Sequence, residues 1–419
     1  MTQPEVLVCD VMMGGGKTSA AIEYMKEVVN HERIVYATPL LDEGDRIVSG
    51  SPVSKFITPT DEIHSAKHVH LAYLLSEKKN VAISHKLFDY FTPDIDRRVQ
   101  EGEYTLLIDE AMNGLVEVRN VHNDYDASDL QEAERIGYLT RREDGTTAWA
   151  DDKYVGSYYS NLRQACDTGK LDMEDGTYIY EYDPAHFLSF RKIIIMTYMF
   201  EFQPMRYYFD MNNINYTYIG VKNDNGKYRF CNSFVNIPSA SNLRDRITIE
   251  KGKINNIGME PSALSYSWCE KNRNDEEVMK QLYRNIYNFH RNRCNAGADQ
   301  MIWTSYKLLK EQLENRHYRD GFVPCTAKAT NKYIKYPYAA YCVNRYMNPV
   351  LLNYYTSRGC EVNADGYALS EMVQWVWRSA IRDGESSIRL YVPSSRMRRL
   401  FTGWLEDLAA GGHGGECCK

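Results

Sequence analysis

No stretch of this chain approaches the roughly 18 consecutive apolar residues that a membrane span requires. The first residues, Met1-Thr2-Gln3-Pro4-Glu5, hold neither a basic cluster nor the apolar run of a secretion signal. The sequence therefore predicts a cytoplasmic protein with no membrane partner. Basic charge is not in excess either: 50 Lys and Arg stand against 56 Asp and Glu, for a net charge of −6. Bulk charge does not advertise a nucleic-acid binder, so any such binding must come from a local basic groove. None of the ten cysteines stands in C-x-x-C spacing, which excludes the usual zinc ribbon. Cys417-Cys418 follow Gly411-Gly412-His413-Gly414-Gly415, and 411–419 reads as a flexible tail.

What is present is ordinary in bulk: 43% hydrophobic and 25% charged residues over 419 positions, enough for two or three globular domains. Tyrosine is frequent, at 33 residues; half-buried surface is its usual place, and base stacking the less common one. Val6-Leu7-Val8-Cys9 reads as a buried parallel strand, Thr18 to Val29 as a helix, and Ile34-Val35-Tyr36-Ala37 as a second strand. Further strands are expected at Val81–Ser84, Leu106–Ile108 and Ile193–Thr197. This alternation predicts an α/β class with a parallel sheet flanked by helices.

The pattern divides the chain into a first α/β domain over 1–112 and 191–210, interrupted by a polar insertion at 113–190. A linker or small subdomain is expected over 211–270, with β-like Arg246-Ile247-Thr248-Ile249 and the turn signal Asp224-Asn225-Gly226. A second α/β domain follows over 271–410. Its expected helices are Asp275 to Asn292, Lys307 to Asn315, Ser370 to Ile381 and Ser394 to Ala410. Its expected strands are Gln300–Thr304, Phe322–Cys325 and Ile388–Val392.

Three constellations carry chemistry. Gly14-Gly15-Gly16-Lys17-Thr18-Ser19 follows a strand and opens a helix, the context that a phosphate-binding loop requires. Its backbone N–H groups and helix N-terminus would hold phosphates, Lys17 would reach the terminal ones, and Thr18 would hold Mg²⁺. A glycine-rich turn with an exposed lysine is the plain alternative. The first glycine of the usual pattern is replaced by Val11. Next, Leu106-Leu107-Ile108 ends in Asp109-Glu110, placing one carboxylate for Mg²⁺ and a second for the attacking water. Finally, Gln374, Arg378 and Arg382 stand at i, i+4 and i+8; on one helix they would share a face able to meet a phosphate. A solvated polar face is the alternative there.

Taken together, these motifs resemble the superfamily 2 (DEAD/DEAH-like) helicases, and most closely the divergent helicases of tailed bacteriophages. Motif I resembles Gly14–Ser19, motif Ia Ala37-Thr38-Pro39-Leu40-Leu41-Asp42-Glu43, and motif Ib Ile83-Ser84-His85. Motif II resembles Asp109-Glu110-Ala111-Met112, motif III loosely Met196-Thr197-Tyr198, and motif IV Trp303-Thr304-Ser305-Tyr306. Motif V resembles Lys328-Ala329-Thr330-Asn331-Lys332-Tyr333, and motif VI Gln374 with Arg378 and Arg382. The resemblance implies two RecA-like P-loop domains binding ATP and Mg²⁺, with Arg378 and Arg382 as arginine fingers. It also implies nucleic acid gripped through Thr38, Ser84, Thr304 and Thr330. Two departures from the DEAD-box pattern, Met112 ending motif II and the short stretch ahead of the P-loop, favour DNA over RNA. The implied activity is an ATP-dependent DNA helicase or translocase in phage replication, recombination or repair, acting in the host cytoplasm with replication or recombination proteins as partners. A terminase-like packaging ATPase and a P-loop nucleotide switch without motor activity remain the alternatives.

Overall fold

The computed structural model describes residues 3–39, 56–62, 66–117, 127–142, 147–150, 154–156, 158–174, 177–232, 242–327 and 332–412. The chain separates into two compact units. The first holds Met1–Val11, Gly16–Phe234 and Asn348–Val362; the second holds Met12–Gly15, Val235–Met347 and Asn363–Lys419.

The first unit is built on strands β1 (Glu5–Asp10), β2 (Arg33–Thr38), β3 (Phe56–Ile57), β4 (Asn80–Ser84) and β5 (Tyr104–Asp109), with helix α1 (Lys17–Val28) between the first two. Five further strands follow: β6 (Leu115–Glu117), β7 (Leu139–Arg141), β8 (Thr147–Trp149), β9 (Gly169–Glu174) and β10 (Thr177–Tyr182). They form a separate antiparallel sheet in the order β6-β10-β9-β8-β7. The chain then returns as β11 (Lys192–Thr197), β12 (Thr217–Asp224) and β13 (Lys227–Cys231). The large sheet has the order β13-β12-β1-β11-β5-β2-β4-β3, and every neighbouring pair is parallel except the β12–β13 hairpin.

The apolar runs read from the sequence are the centre of this sheet. Val8, Leu106, Leu107, Ile108, Ile193, Ile194 and Ile195 are all buried, as strands covered on both faces must be. The expected α/β class, with a parallel sheet flanked by helices, is what the chain adopts. In such a sheet the loops at the carboxyl ends of the strands carry the chemistry. Asp10, Thr38, Ser84, Asp109 and Thr197 all end strands on that edge.

The span 211–270 is not a body of its own. Its strands β12 and β13 complete the first sheet, while β14 (Ile247–Ile249) joins the sheet of the second unit. The turn signal Asn225-Gly226 closes the β12–β13 hairpin with both residues at positive φ, 54° and 87°, as a two-residue turn between right-twisted strands requires. The second unit's sheet adds β15 (Met301–Thr304), β16 (Tyr338–Tyr341) and β17 (Ile388–Tyr391), all parallel, in the order β14-β17-β16-β15. Phe322–Cys325, expected as a strand, makes only a single bridge from Phe322 to Trp303. At the end of β14, Glu250 is buried and accepts from Arg293 Nη1 at 2.7 Å and from Arg389.

Helix α2 (Pro349–Ser357) lies late in the sequence yet belongs to the first unit. Its Tyr354 hydroxyl donates to Glu181 Oε2 at 2.8 Å, while Asn212 Nδ2 donates to Oε1 at 2.9 Å. Arg358 lies over the Tyr354 ring at 3.4 Å, and its guanidinium meets Asp172 at 2.5 Å and Glu174 at 3.3 Å. Glu181 is buried, so losing a donor leaves its carboxylate short of a partner where water cannot replace it. Tyr354→Phe should therefore cost about 1–3 kcal/mol locally. Hydrogen–deuterium exchange should show faster exchange over 349–357 and 177–182 while β15–β17 keep their protection. Unchanged protection in both segments would show that the Tyr354–Glu181 bond does not hold this helix.

Candidate nucleotide site

Between β1 and α1 the chain turns through Gly14 and Gly16 at φ of 82° and 85°, values that side-chain-bearing residues rarely adopt. Gly15 N–H bonds the Met12 carbonyl at 3.0 Å, and Ala20 N–H bonds the Gly16 carbonyl at 2.8 Å as the helix begins. Lys17, Thr18 and Ser19 form its first turn. The N–H groups of that turn precede any i−4 carbonyl, so a helix start of this kind favours an anion. Val11, in place of the usual first glycine, needs no special backbone. It continues β1, donates its N–H to the Thr197 carbonyl at 3.0 Å, and offers its own carbonyl to Lys17 Nζ.

Five ionisable groups meet at this edge. Burial lowers the Lys17 pKa, and the charges of Cys9, Asp10, Asp109 and Glu110 oppose that fall. Asp109 ends β5, is 9% exposed, and accepts from the Tyr36 hydroxyl at 3.1 Å. Glu110 follows at φ 61°, a left-handed conformation costly for a non-glycine residue, with its N–H held by the Met196 carbonyl at 2.9 Å. Its Oε2 is buried and, among the described residues, has no hydrogen-bond partner. Backbone strain and unsatisfied buried polar atoms of this kind concentrate at functional sites.

The donor set suits a nucleotide and a hard divalent ion: glycine backbone and Lys17 for phosphates, the Thr18 hydroxyl and Asp109 carboxylate for Mg²⁺, and Glu110 for a water.

Asp10 is the member that sequence reasoning missed. It accepts from the N–H groups of Met199, at 2.7 Å, and Phe200, at 3.0 Å. It thereby caps the turn after β11 on which Met199 sits at φ 59°. An acidic residue closing the strand just ahead of the glycines was the available signal. Thr197, in the motif III position, bonds Gln203 Oε1 through its hydroxyl at 3.0 Å.

Other expected site residues fare differently. Thr38 and Ser84 are register partners at the sheet's carboxyl edge, with Thr38 buried and Ser84 half-buried. Thr304 is fully buried and its hydroxyl is unavailable to a phosphate in solvent, contrary to expectation. Thr330 lies outside the described residues, as do Leu40-Leu41-Asp42-Glu43.

Gln374, Arg378 and Arg382 do not share a helix face. Helix α3 (Ala364–Val376) ends before Arg378, Ser379 is extended at φ −82° and ψ −175°, and Arg382 sits in a separate short turn, Ala380–Asp383. Tertiary contacts overrule the local spacing here. Trp377 is buried edge-on against Trp404 at 5.7 Å, Ala380 N–H bonds the Tyr336 carbonyl at 3.0 Å, and the buried Arg378 guanidinium donates to the Ala327 carbonyl.

The Asp10 carboxyl gives a pH test. Burial pushes its pKa from 3.8 up to about 6, against the pull of the Met199 and Phe200 amides and of Lys17. The folded state thus binds this proton more tightly than the unfolded chain does. Asp10's contribution to stability is fully present below 3.8 and is lost as pH rises through about 6. Measured by urea denaturation, the wild type should lose stability relative to Asp10→Asn as pH rises across that window. A gap that does not change with pH would show that Asp10 titrates as it does in the unfolded chain.

The chain is 34% identical over 422 residues to the SPbeta prophage-derived uncharacterized protein YonV of Bacillus subtilis (strain 168), a match covering 96% of this chain and 99% of that one. Residues 241–405 match the family model described as the YonV C-terminal Rossmann-like domain. Among solved structures, Xpd4 of S. tokodaii aligns with a TM-score of 0.47 and 13% identity, covering 95% of this chain and 93% of that chain. XPD in its apo form aligns with a TM-score of 0.48 and 12% identity, covering 93% and 92%. With a third of all positions identical along nearly the full length of both proteins, the chain belongs to the YonV family.

Proposed function

We propose that this protein is an ATP-hydrolysing enzyme that couples hydrolysis to movement on nucleic acid, DNA rather than RNA. One observation carries the reading. Lys17 is drawn among Asp10, Asp109 and Glu110 at the carboxyl edge of a parallel sheet, beside a glycine turn that opens a helix. That is a site for a phosphate chain with its metal, and a triphosphate supplies both.

The roles follow from position. Gly14, Gly15 and Gly16 offer backbone N–H groups to the phosphates, and Lys17 neutralises the terminal ones. Thr18 and Asp109 hold Mg²⁺, which when bound draws negative charge off the transferred phosphoryl group. Glu110 orients the attacking water, and its backbone strain and unsatisfied Oε2 support that role. Ser84 would meet a nucleic-acid phosphate, a role supported by its half-exposed position beside Thr38 on the same edge. The preference for DNA and the motor function rest on the resemblance of motifs I and II to superfamily 2 helicases. The membership of a family with a prophage-derived relative is consistent with them.

The test is an ATPase assay of the full chain with single-stranded DNA, duplex DNA and RNA in parallel. Single-stranded DNA should raise turnover most. Lys17→Ala should abolish hydrolysis, and Glu110→Gln should lower it at least ~100-fold while ATP still binds. A Lys17→Ala protein that hydrolyses ATP at the wild-type rate would end this reading. Turnover indifferent to every nucleic acid would leave an ATPase and remove the motor.

A further inference from the structure

The hairpin β12–β13 is a part of the first unit that the proposed chemistry leaves unused and that borders the glycine loop. β12 runs beside β1 only through Cys9, its partner Ile219, and then continues to Asp224. Its last residues and the Asn225-Gly226 turn therefore project beyond the carboxyl end of β1, on the flank where the glycine loop begins. β13 returns along helix α1 and is fastened to it. Phe230 meets Tyr24 edge-on at 6.1 Å, Arg229 pairs with Glu27 at 2.9 Å, and Gly226 N–H bonds Asn223 Oδ1 at 2.8 Å to close the turn.

This arrangement places Tyr228 on the phosphate loop. A Cβ on Gly16 would fall 2.1 Å from Tyr228 Cδ1, 2.4 Å from Cε1 and 2.9 Å from Cγ. The missing side chain of Gly16 therefore makes room for the ring as well as for the left-handed turn. Tyr228 is half-buried, and among the described residues it has no ring–ring contact and no side-chain hydrogen bond.

Direction decides what this ring meets. On one side of β1 lies β11 and beyond it β5, which carries Asp109 and Glu110; on the other side lies the hairpin. A triphosphate whose terminal phosphate and metal lie toward Asp109 has to send its nucleoside the other way. We propose that Tyr228 is the nucleoside platform of this site, stacking its ring on the base of the bound nucleotide. The proposal rests on the nucleotide reading above and extends it to the recognition of the base. A stacking face reads π area rather than hydrogen-bonding pattern, so purine nucleotides gain most and ATP and GTP gain alike.

The experiment compares equilibrium binding of ATP, GTP, UTP and inorganic tripolyphosphate, each with Mg²⁺, to the full-length wild type and to Tyr228→Leu, Tyr228→Phe and Lys17→Ala. Tyr228→Leu keeps apolar bulk against Gly16 but loses the ring. It should bind ATP and GTP roughly 10- to 100-fold more weakly, UTP less so, with tripolyphosphate unchanged. Tyr228→Phe should retain the purine preference. The tripolyphosphate result also reports whether each variant keeps a folded phosphate loop. The proposal is overturned if Tyr228→Leu binds ATP like the wild type, or loses ATP and tripolyphosphate in parallel, which would make the ring a prop for the loop. If Lys17→Ala leaves ATP binding intact, the nucleotide site itself is misplaced and the platform goes with it.

Discussion

A single ammonium group, drawn out of water at the end of a parallel sheet, sets the terms for everything around it. Removing the Lys17 charge from solvent is unfavourable, and three carboxylates from the ends of two strands oppose that penalty. Asp10 comes from the strand leading into the loop, while Asp109 and Glu110 come from two strands away. None of these groups is costless to place. Asp10 holds its proton more tightly than a solvated carboxyl does, and Glu110 sits in a left-handed backbone. Such features persist where surrounding structure over-determines them, and here the buried centre of an eight-stranded sheet does so.

The same edge shows why strand order matters more than strand content. β1 lies between β11 and β12, so the phosphate loop has acidic chemistry on one flank and an aromatic hairpin on the other. Asp10 ties the loop's leading strand to the turn after β11 through two backbone amides. A change at the phosphate end is thereby connected to the Thr197–Gln203 turn by hydrogen bonds rather than by proximity alone.

Much of this was legible in the sequence. Val6–Cys9, Leu106–Ile108 and Ile193–Thr197 are short apolar runs ended by polar or glycine residues, and doubly covered parallel strands have that signature. Asp275 and Ser394 read correctly as helix starts because a side-chain cap is a local event: Asp275 accepts from Glu277 and Val278, Ser394 from Met397. Tyr338–Tyr341 was not legible as a strand, since Tyr-Ala-Ala-Tyr offers neither branched residues nor alternation. Arg378 was misread because the end of α3 is set by Trp404 and by the carbonyl of Tyr336, both distant in sequence. The recruitment of 217–231 into the first sheet was equally hidden, because the turn chemistry announces a hairpin but not its neighbour. Tyr228 carries no local signal at all; its relation to Gly16 exists only after the hairpin has docked.

Helix α2 has a consequence for how this chain can be divided. It lies inside the span 241–405 that the Rossmann-like family model matches, yet its Tyr354 and Arg358 are committed to Glu181, Asp172 and Glu174 of the first unit. A fragment cut near residue 235 would carry away a helix whose acidic partners stay behind. The remaining piece would hold a buried carboxylate stripped of its tyrosine donor. Modularity in the genetic sense and autonomy in the folding sense therefore part company here: neither unit can be inherited, exchanged or expressed as one uninterrupted length of polypeptide.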